Sequence, residues 1–274
     1  MKVHLIYFSP GGTTKKTIQN IAKGMKDVEI IEHDMLKKEN REKKYSFSKN
    51  ELVIIGMPTM TKLFGLPKEI IGVLNGNNTP FVGAVTCGNG YYGKALIVMK
   101  KAMEERGFKM VAGGGFVGQY TFSKELAKGR PDEKDERIQR KLGEDVYKKV
   151  FLKKDITFNT KLKIDWPNEG VFSTIKCALI SAAPGIGGAV PRSWNELFVS
   201  DTCIQCGKCV RHCPVEAITL TDHIEINRDK CIGCYGCANV CPVSAIKLAN
   251  KTMIKAVENV MKFRDKRKEP DVFI

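Results

Sequence analysis

Eight of the ten cysteines fall between Cys203 and Cys241, and their spacing is that of a ligand set. Disulfide frameworks are spread through small secreted chains, whereas this chain has 274 residues. The block is an internal repeat with a period of 28: residues 201–218 align with 229–246, with ten of eighteen positions identical. Each copy reads C-x2-C-x2-C-x3-C-P. Three thiolates two residues apart on a tight loop converge on three irons of one cubane, and the fourth, further along, points away to ligate the other. Proline after the fourth cysteine suits the first turn of a helix, where an amide hydrogen is unpaired anyway. The expected sets are Cys203, Cys206, Cys209 and Cys241 on one [4Fe–4S] cluster, and Cys231, Cys234, Cys237 and Cys213 on the other. The rival ligand is structural zinc, which pairs two C-x2-C knuckles a dozen or more residues apart.

Over about residues 199–250 the sequence resembles bacterial two-cluster ferredoxins. Short strands at 217–220, 223–226 and 245–248 are expected as hairpins around the clusters. The amino-terminal part has a different period. Apolar runs at 3–8, 28–31, 52–55, 81–85 and 108–116 alternate with helical patterns at 67–74, 94–106 and 133–150, and Ile18, Ile21, Ala22 and Met25 share a face of a further helix. The expected class is α/β: a doubly wound, parallel, five-stranded sheet, joined to a small α+β two-cluster domain. Such sheets bind ligands beyond the carboxyl ends of their strands.

The loop after the first strand, Ser9-Pro10-Gly11-Gly12-Thr13-Thr14, offers glycines, hydroxyls and free amides at a helix start. Those parts hold a phosphate, and Lys15 and Lys16 would add a favourable field. A plain turn capped by Thr13 or Thr14 uses the same residues. The third strand ends in Gly56-Met57-Pro58-Thr59-Met60-Thr61, and the fourth in Thr86-Cys87-Gly88-Asn89-Gly90-Tyr91-Tyr92, at the same edge. The first loop resembles the S/T-x-T-x-x-T phosphate loop of flavodoxins, with Gly11 and Thr13 in place of the usual Thr and Asn. The Gly88-Asn89 pair followed by aromatics is similar to a flavin-ring loop, although Cys87 stands where a tyrosine is common. The resemblance implies FMN held by Ser9, Gly11, Gly12, Thr13, Thr14, Pro58, Thr59, Met60, Gly88 and Asn89, with Tyr91 or Tyr92 stacking on the ring.

Taken whole, the chain resembles the EFR1 family, a flavodoxin-like domain fused to a two-cluster ferredoxin. Residues 115–123 and 127–135 resemble that family's segment after the last strand. The resemblance implies FMN and electron transfer. The expected organisation is a flavodoxin-like domain at 1–150, a connecting arm at 151–198, the two-cluster domain at 199–250 and a C-terminal tail at 251–274, in which 262–268 is read as a solvated, partly helical end.

Cys177 reads as packing, and Cys87 as a small buried residue or a ring contact. His4 reads as core or edge, and His212 as exposed or tuning a cluster. No Ser-His-Asp or paired-carboxylate pattern nominates a catalytic residue. The net charge of +15 is uneven: residues 1–198 carry +12, 251–274 carry +3 and 199–250 are neutral before metal. That contrast suits an acidic redox partner on the flavin side, and no reader motif for nucleic acid accompanies it. No apolar run spans a bilayer and no signal peptide is evident, so a cytoplasmic protein is expected. The expected function is a flavo-iron–sulfur carrier or oxidoreductase converting paired and single electrons. The alternative is a non-enzymatic iron–sulfur binding or redox-sensing protein with a flavin-free α/β part.

Overall fold

The structure is a computed structural model describing residues 1–59, 66–88, 92–121, 125–165, 196–248 and 267–274. Its amino-terminal part alternates strands and helices: β1 (Lys2–Tyr7), α1 (Thr13–Ala22), β2 (Glu29–Asp34), α2 (Lys38–Glu42), β3 (Tyr45–Phe47), β4 (Leu52–Pro58), α3 (Leu66–Gly72), β5 (Leu74–Gly76), β6 (Thr79–Cys87), α4 (Ala95–Glu104), β7 (Phe108–Val117) and α5 (Glu133–Val146). A π-helical turn, Tyr147–Leu152, continues α5. The five long strands pair in parallel in the order β2-β1-β4-β6-β7. Leaving out the short β3–β5 pair, that order is 2-1-3-4-5, the flavodoxin-like form of the doubly wound sheet.

Alternation along the strands builds two cores. Ile6, Val53, Ile55, Val85, Leu96 and Met103 lie in one cluster, and Val3, Leu5, Ile18, Ile54, Ala84 and Leu142 in the other. Adjacent residues of β1 and β4 thus face opposite layers, as the two-residue period of a strand requires. Strands buried on both faces explain the continuous apolar runs. The helix at α5 starts with a capping box at Asp132 and Asp135.

The end of the chain differs from the expected solvated tail. β12 (Asp271–Phe273) pairs antiparallel with β7, Val272 opposite Gly114, so the sheet has six strands. Arg267 pairs with Asp132 and Asp135 at the start of α5, and Lys268 with Asp165. These cations meet acidic partners, and Phe273 enters the core, which is why the segment docks. Of the expected arm, Phe158 and Leu162 pack on the α/β core, and Asp165 bridges to Gly93. Residues 166–195 of the arm, Cys177 among them, lie outside the described residues.

Tyr92 is also redirected. Its hydroxyl donates to Asp271 Oδ2 at 2.8 Å, its amide donates to Asp165 Oδ2 at 2.9 Å, and its ring fills the space a side chain at Gly115 would need. It braces the closing strand and is not an open stacking face.

His4 lies in β1, buried, with Nδ1 3.0 Å from His33 Nε2 and Nε2 3.3 Å from Glu51 Oε1. It is a packed core residue of a central strand, one of the two places expected for it.

Two outcomes follow from these contacts. Gly115→Ala is expected to cost about 1–3 kcal/mol of stability by overpacking the Tyr92 ring, read by chemical denaturation of the whole chain. Burial pushes the His33 imidazole down to about 4, and the neighbouring His4 adds to this. The unfolded chain takes up this proton near pH 6.5 and the folded chain only near 4, so stability falls as pH drops through that window. His33→Phe should flatten the slope of the thermal midpoint between those pH values; an unaltered slope would contradict the assignment.

Candidate functional site

All five parallel strands end at one edge, and the sequence-expected loops meet there. At the start of α1, Gly12 takes the N-cap position with φ +82°, a left-handed backbone that glycine adopts without a Cβ penalty. The plain threonine cap is therefore not what forms. Ser9 Oγ accepts from the Lys15 amide at 3.0 Å, and Gly12 N–H donates to the Ser9 carbonyl at 3.1 Å. The amides of Gly11, Thr13 and Thr14 meet no acceptor among the described residues. Three free donors at the amino end of a ten-residue helix suit an anion.

The hydroxyls are committed inward. Thr14 Oγ1 lies 2.7 Å from Thr86 Oγ1, both buried, and Thr59 donates from its amide and its hydroxyl to the Thr86 carbonyl. These contacts join the loops after β1, β4 and β6. Lys15 and Lys16 do not face the loop: Lys15 pairs with Glu32 at 3.1 Å, and Lys16 with Glu136 at 2.9 Å. Any anion there relies on amides and the helix dipole. Pro58 ends β4 and Gly88 follows β6, whereas Met60, Asn89 and Tyr91 lie outside the described residues. Cys87 is buried with Sγ 3.6 Å from the Phe116 carbonyl. The segment after β7 lines the same edge. A Cβ at Gly118 would stand 2.7 Å from Thr13 Cγ2, and one at Gly88 would strike the Tyr120 ring.

The cysteine block folds around a small core of Ile218, Ile224, Ile246, Cys209 and Cys237. Its elements are β8 (Leu197–Val199), α6 (Lys208–His212), β9 (Ile218–Leu220), β10 (Ile224–Ile226), α7 (Gly236–Val240) and β11 (Ile246–Leu248). The sequence repeat is a backbone repeat. Positive φ recurs at Gln205 and Gly233, at Gly207 and Tyr235, and at Glu216 and Ser244. The amides of Ala217 and Ala245 donate to Cys213 Sγ and Cys241 Sγ, each at 3.2 Å.

One recess is lined by Cys203, Cys206, Cys209 and Cys241. In the other set, Cys213, Cys231, Cys234 and Cys237 lie close enough to perturb one another. Burial pushes the Cys234 thiol up to about 12 and also raises Cys237, and neighbouring sulfurs add to both. Burial raises Cys209 likewise. At Cys241 burial again pushes upward, but amides led by Ala245 outweigh it and draw the thiol down. A multivalent cation inverts this logic, because coordination deprotonates a thiol outright. Among the described residues, no three His, Cys, Asp or Glu side chains converge on a single-ion site.

The segment around Cys213 and the second cysteine loop both sit against the α/β part. His212 is half-buried, and its Nε2–H donates to the Pro10 carbonyl at 3.0 Å, so it is not the exposed side chain expected. A Cβ at Gly11 would stand 3.9 Å from Asn239 Nδ2, and Ile232 packs on the α/β core. Arg41 donates to the Pro214 carbonyl, and Lys38 pairs with Glu216 at 3.1 Å.

Residues 198–248 match the model of the 4Fe-4S dicluster domain family. The amino-terminal part aligns with three solved flavodoxins. One from the domain Archaea is 22% identical with a TM-score of 0.37, covering 55% of this chain and 99% of that one. The Streptococcus pneumonia TIGR4 flavodoxin is 14% identical at 0.37, covering 55% and 100%. A short-chain flavodoxin associated with a non-canonical PDU bacterial microcompartment is 13% identical at 0.39, covering 54% and 97%. No curated protein sequence matches the chain. The strand order carries the fold assignment. The chain joins a flavodoxin-like α/β part to a small ferredoxin-like 4Fe-4S region. That pairing supports electron transfer as the general function. Among the described residues, no helix is long and apolar enough to cross a membrane.

Spacing within the sequence did not nominate Tyr120, Tyr235 or Asn239. A buried tyrosine where the first repeat has glycine is the one signal that could have found Tyr235.

With so few aliphatic residues in its core, the cysteine block depends on its metal. Anaerobic iron chelation of the intact chain should abolish hydrogen-exchange protection over 196–248 and preserve it in β1, β4 and β6. Retained protection over 196–248 would contradict this.

Proposed function

We propose that the chain is a flavo-iron–sulfur electron carrier or oxidoreductase of the EFR1 type, holding FMN at the sheet edge and two [4Fe–4S] clusters in the cysteine block. The observation that carries this reading is that His212 beside Cys213 and the helix after the second cysteine loop, through Gly236 and Asn239, both meet the anion-ready turn at Pro10 and Gly11. Cys203, Cys206, Cys209 and Cys241 would hold one cluster, and Cys213, Cys231, Cys234 and Cys237 the other. When bound, FMN accepts two electrons and can release them singly while each cluster carries one, which suits exchange between paired and single electrons.

The residues of the chain have separate tasks. The amides of Gly11, Thr13 and Thr14 bind the phosphate, and Ser9 fixes the turn through the Lys15 amide. Thr14, Thr59 and Thr86 lock the three loops to one another. Tyr120 closes over Gly88 at the edge, and Tyr235 is buried in the second cysteine loop. The basic α/β part, with +12 over residues 1–198, favours an acidic redox partner in the cytoplasm.

A second reading is an iron–sulfur binding or sensing protein without flavin. The inward-facing Thr14 hydroxyl and the buried Tyr92 favour it. An FMN titration of the anaerobic, iron-loaded chain separates the two. Saturable uptake is expected, weakened about tenfold or more in Gly118→Ala, whose Cβ displaces Thr13, with iron content unchanged. A fully iron-loaded chain that takes up no FMN would establish the second reading.

A further inference from the structure

The two cysteine loops share a backbone and differ in their surroundings. Ile204 of the first loop is 60% exposed, whereas Ile232, its counterpart in the repeat, packs on the α/β core. Cys206 is exposed and its counterpart Cys234 is buried. Gly207 and Tyr235 occupy the same left-handed backbone position, with φ 66° and ψ 6° against φ 57° and ψ 14°. Glycine sits there freely, and a bulky residue in that conformation marks a site worth explaining.

Tyr235 is 2% exposed. Burial raises its phenol, and Cys231, Tyr120, Cys237 and Cys234 add to this. Tyr120 is the ring that closes over Gly88 at the end of β6. From Tyr235, α7 runs on past Pro10, where a Cβ at Gly236 would stand 3.3 Å from Pro10 Cβ. Asn239 Nδ2 donates back to the Tyr235 carbonyl at 3.0 Å and lies beside Gly11. Tyr235 is therefore buried within the second sulfur loop, at the head of a helix that meets the turn after β1.

We propose that Tyr235 is a positioning residue that seats the second cysteine loop on the flavin edge, making Cys213, Cys231, Cys234 and Cys237 the inward set and Cys203, Cys206, Cys209 and Cys241 the outward set. This rests on the electron-transfer reading above. Each transfer moves one electron and breaks no bond. An external one-electron reductant is oxidised on the outward side, and the electron leaves toward the sheet edge from the inward side.

The test uses the anaerobic, iron-loaded, FMN-supplemented chain and compares Tyr235→Gly with Tyr235→Phe. Glycine is the residue the first loop has at this position, so the loop backbone keeps its shape. Tyr235→Gly should raise hydrogen exchange over residues 9–14 and 231–240 and leave 203–212 unaltered. In stopped-flow mixing with reduced methyl viologen, it should slow the bleaching of flavin absorbance about tenfold and leave the faster cluster bleaching unchanged. Tyr235→Phe should match the parent chain in both readouts. Unaltered exchange over 9–14, or a slowed cluster phase with a normal flavin phase, would overturn the proposal. A parent chain with cluster bleaching and no flavin phase would defeat the electron-transfer reading, while the exchange result would still decide whether Tyr235 seats the loop.

Discussion

A sulfur shut away from water stays charged only if a cation shares its site. Cys234, Cys237 and Cys209 are all buried, and burial alone would hold them as neutral thiols. The small body around them has a core cluster of only three isoleucines and two of those cysteines, fringed by partly buried aliphatics, so metal coordination is expected to supply much of the free energy that folds it. The second loop can lie against the α/β part only if that body is folded. The contact of His212 with Pro10, the packing of Ile232 and the burial of Tyr235 all depend on the same sulfur–metal bonds.

Repetition supplies the architecture and its breaking supplies direction. The two loops agree in backbone down to their positive-φ positions, so their ligand geometry is duplicated. The side chains then diverge. Gly207 becomes Tyr235 and Lys208 becomes Gly236, and these changes turn one copy into a docking surface for the sheet edge. A tyrosine in the left-handed region costs roughly 1–2 kcal/mol relative to the right-handed region, which its burial offsets.

Much of this was legible in the sequence where a local rule governs the outcome. Ligand chemistry fixes the spacing of thiolates, so the repeat could be read without a structure. Strands β1, β4, β6 and β7 were legible because burial on both faces makes each a continuous apolar run. The turn from Ser9 to Thr14 was legible in position but not in detail. The free donors are amides, while the hydroxyl of Thr14 and the two lysines serve neighbouring elements. What stayed hidden is long-range. Strand β12 is three residues long, and Tyr92 meets Asp271 across 179 positions, a pairing no local pattern signals. The docking of Tyr235 likewise depends on how two folded bodies meet.

The central claim is that one chain carries flavin and clusters side by side. Counting iron, acid-labile sulfide and FMN in chain isolated without oxygen tests it most directly. The account predicts about eight irons, about eight sulfides and about one FMN per chain, as two cubanes and one flavin require. Zinc in place of iron, cysteines oxidised in pairs, or full iron with no capacity for FMN would contradict it.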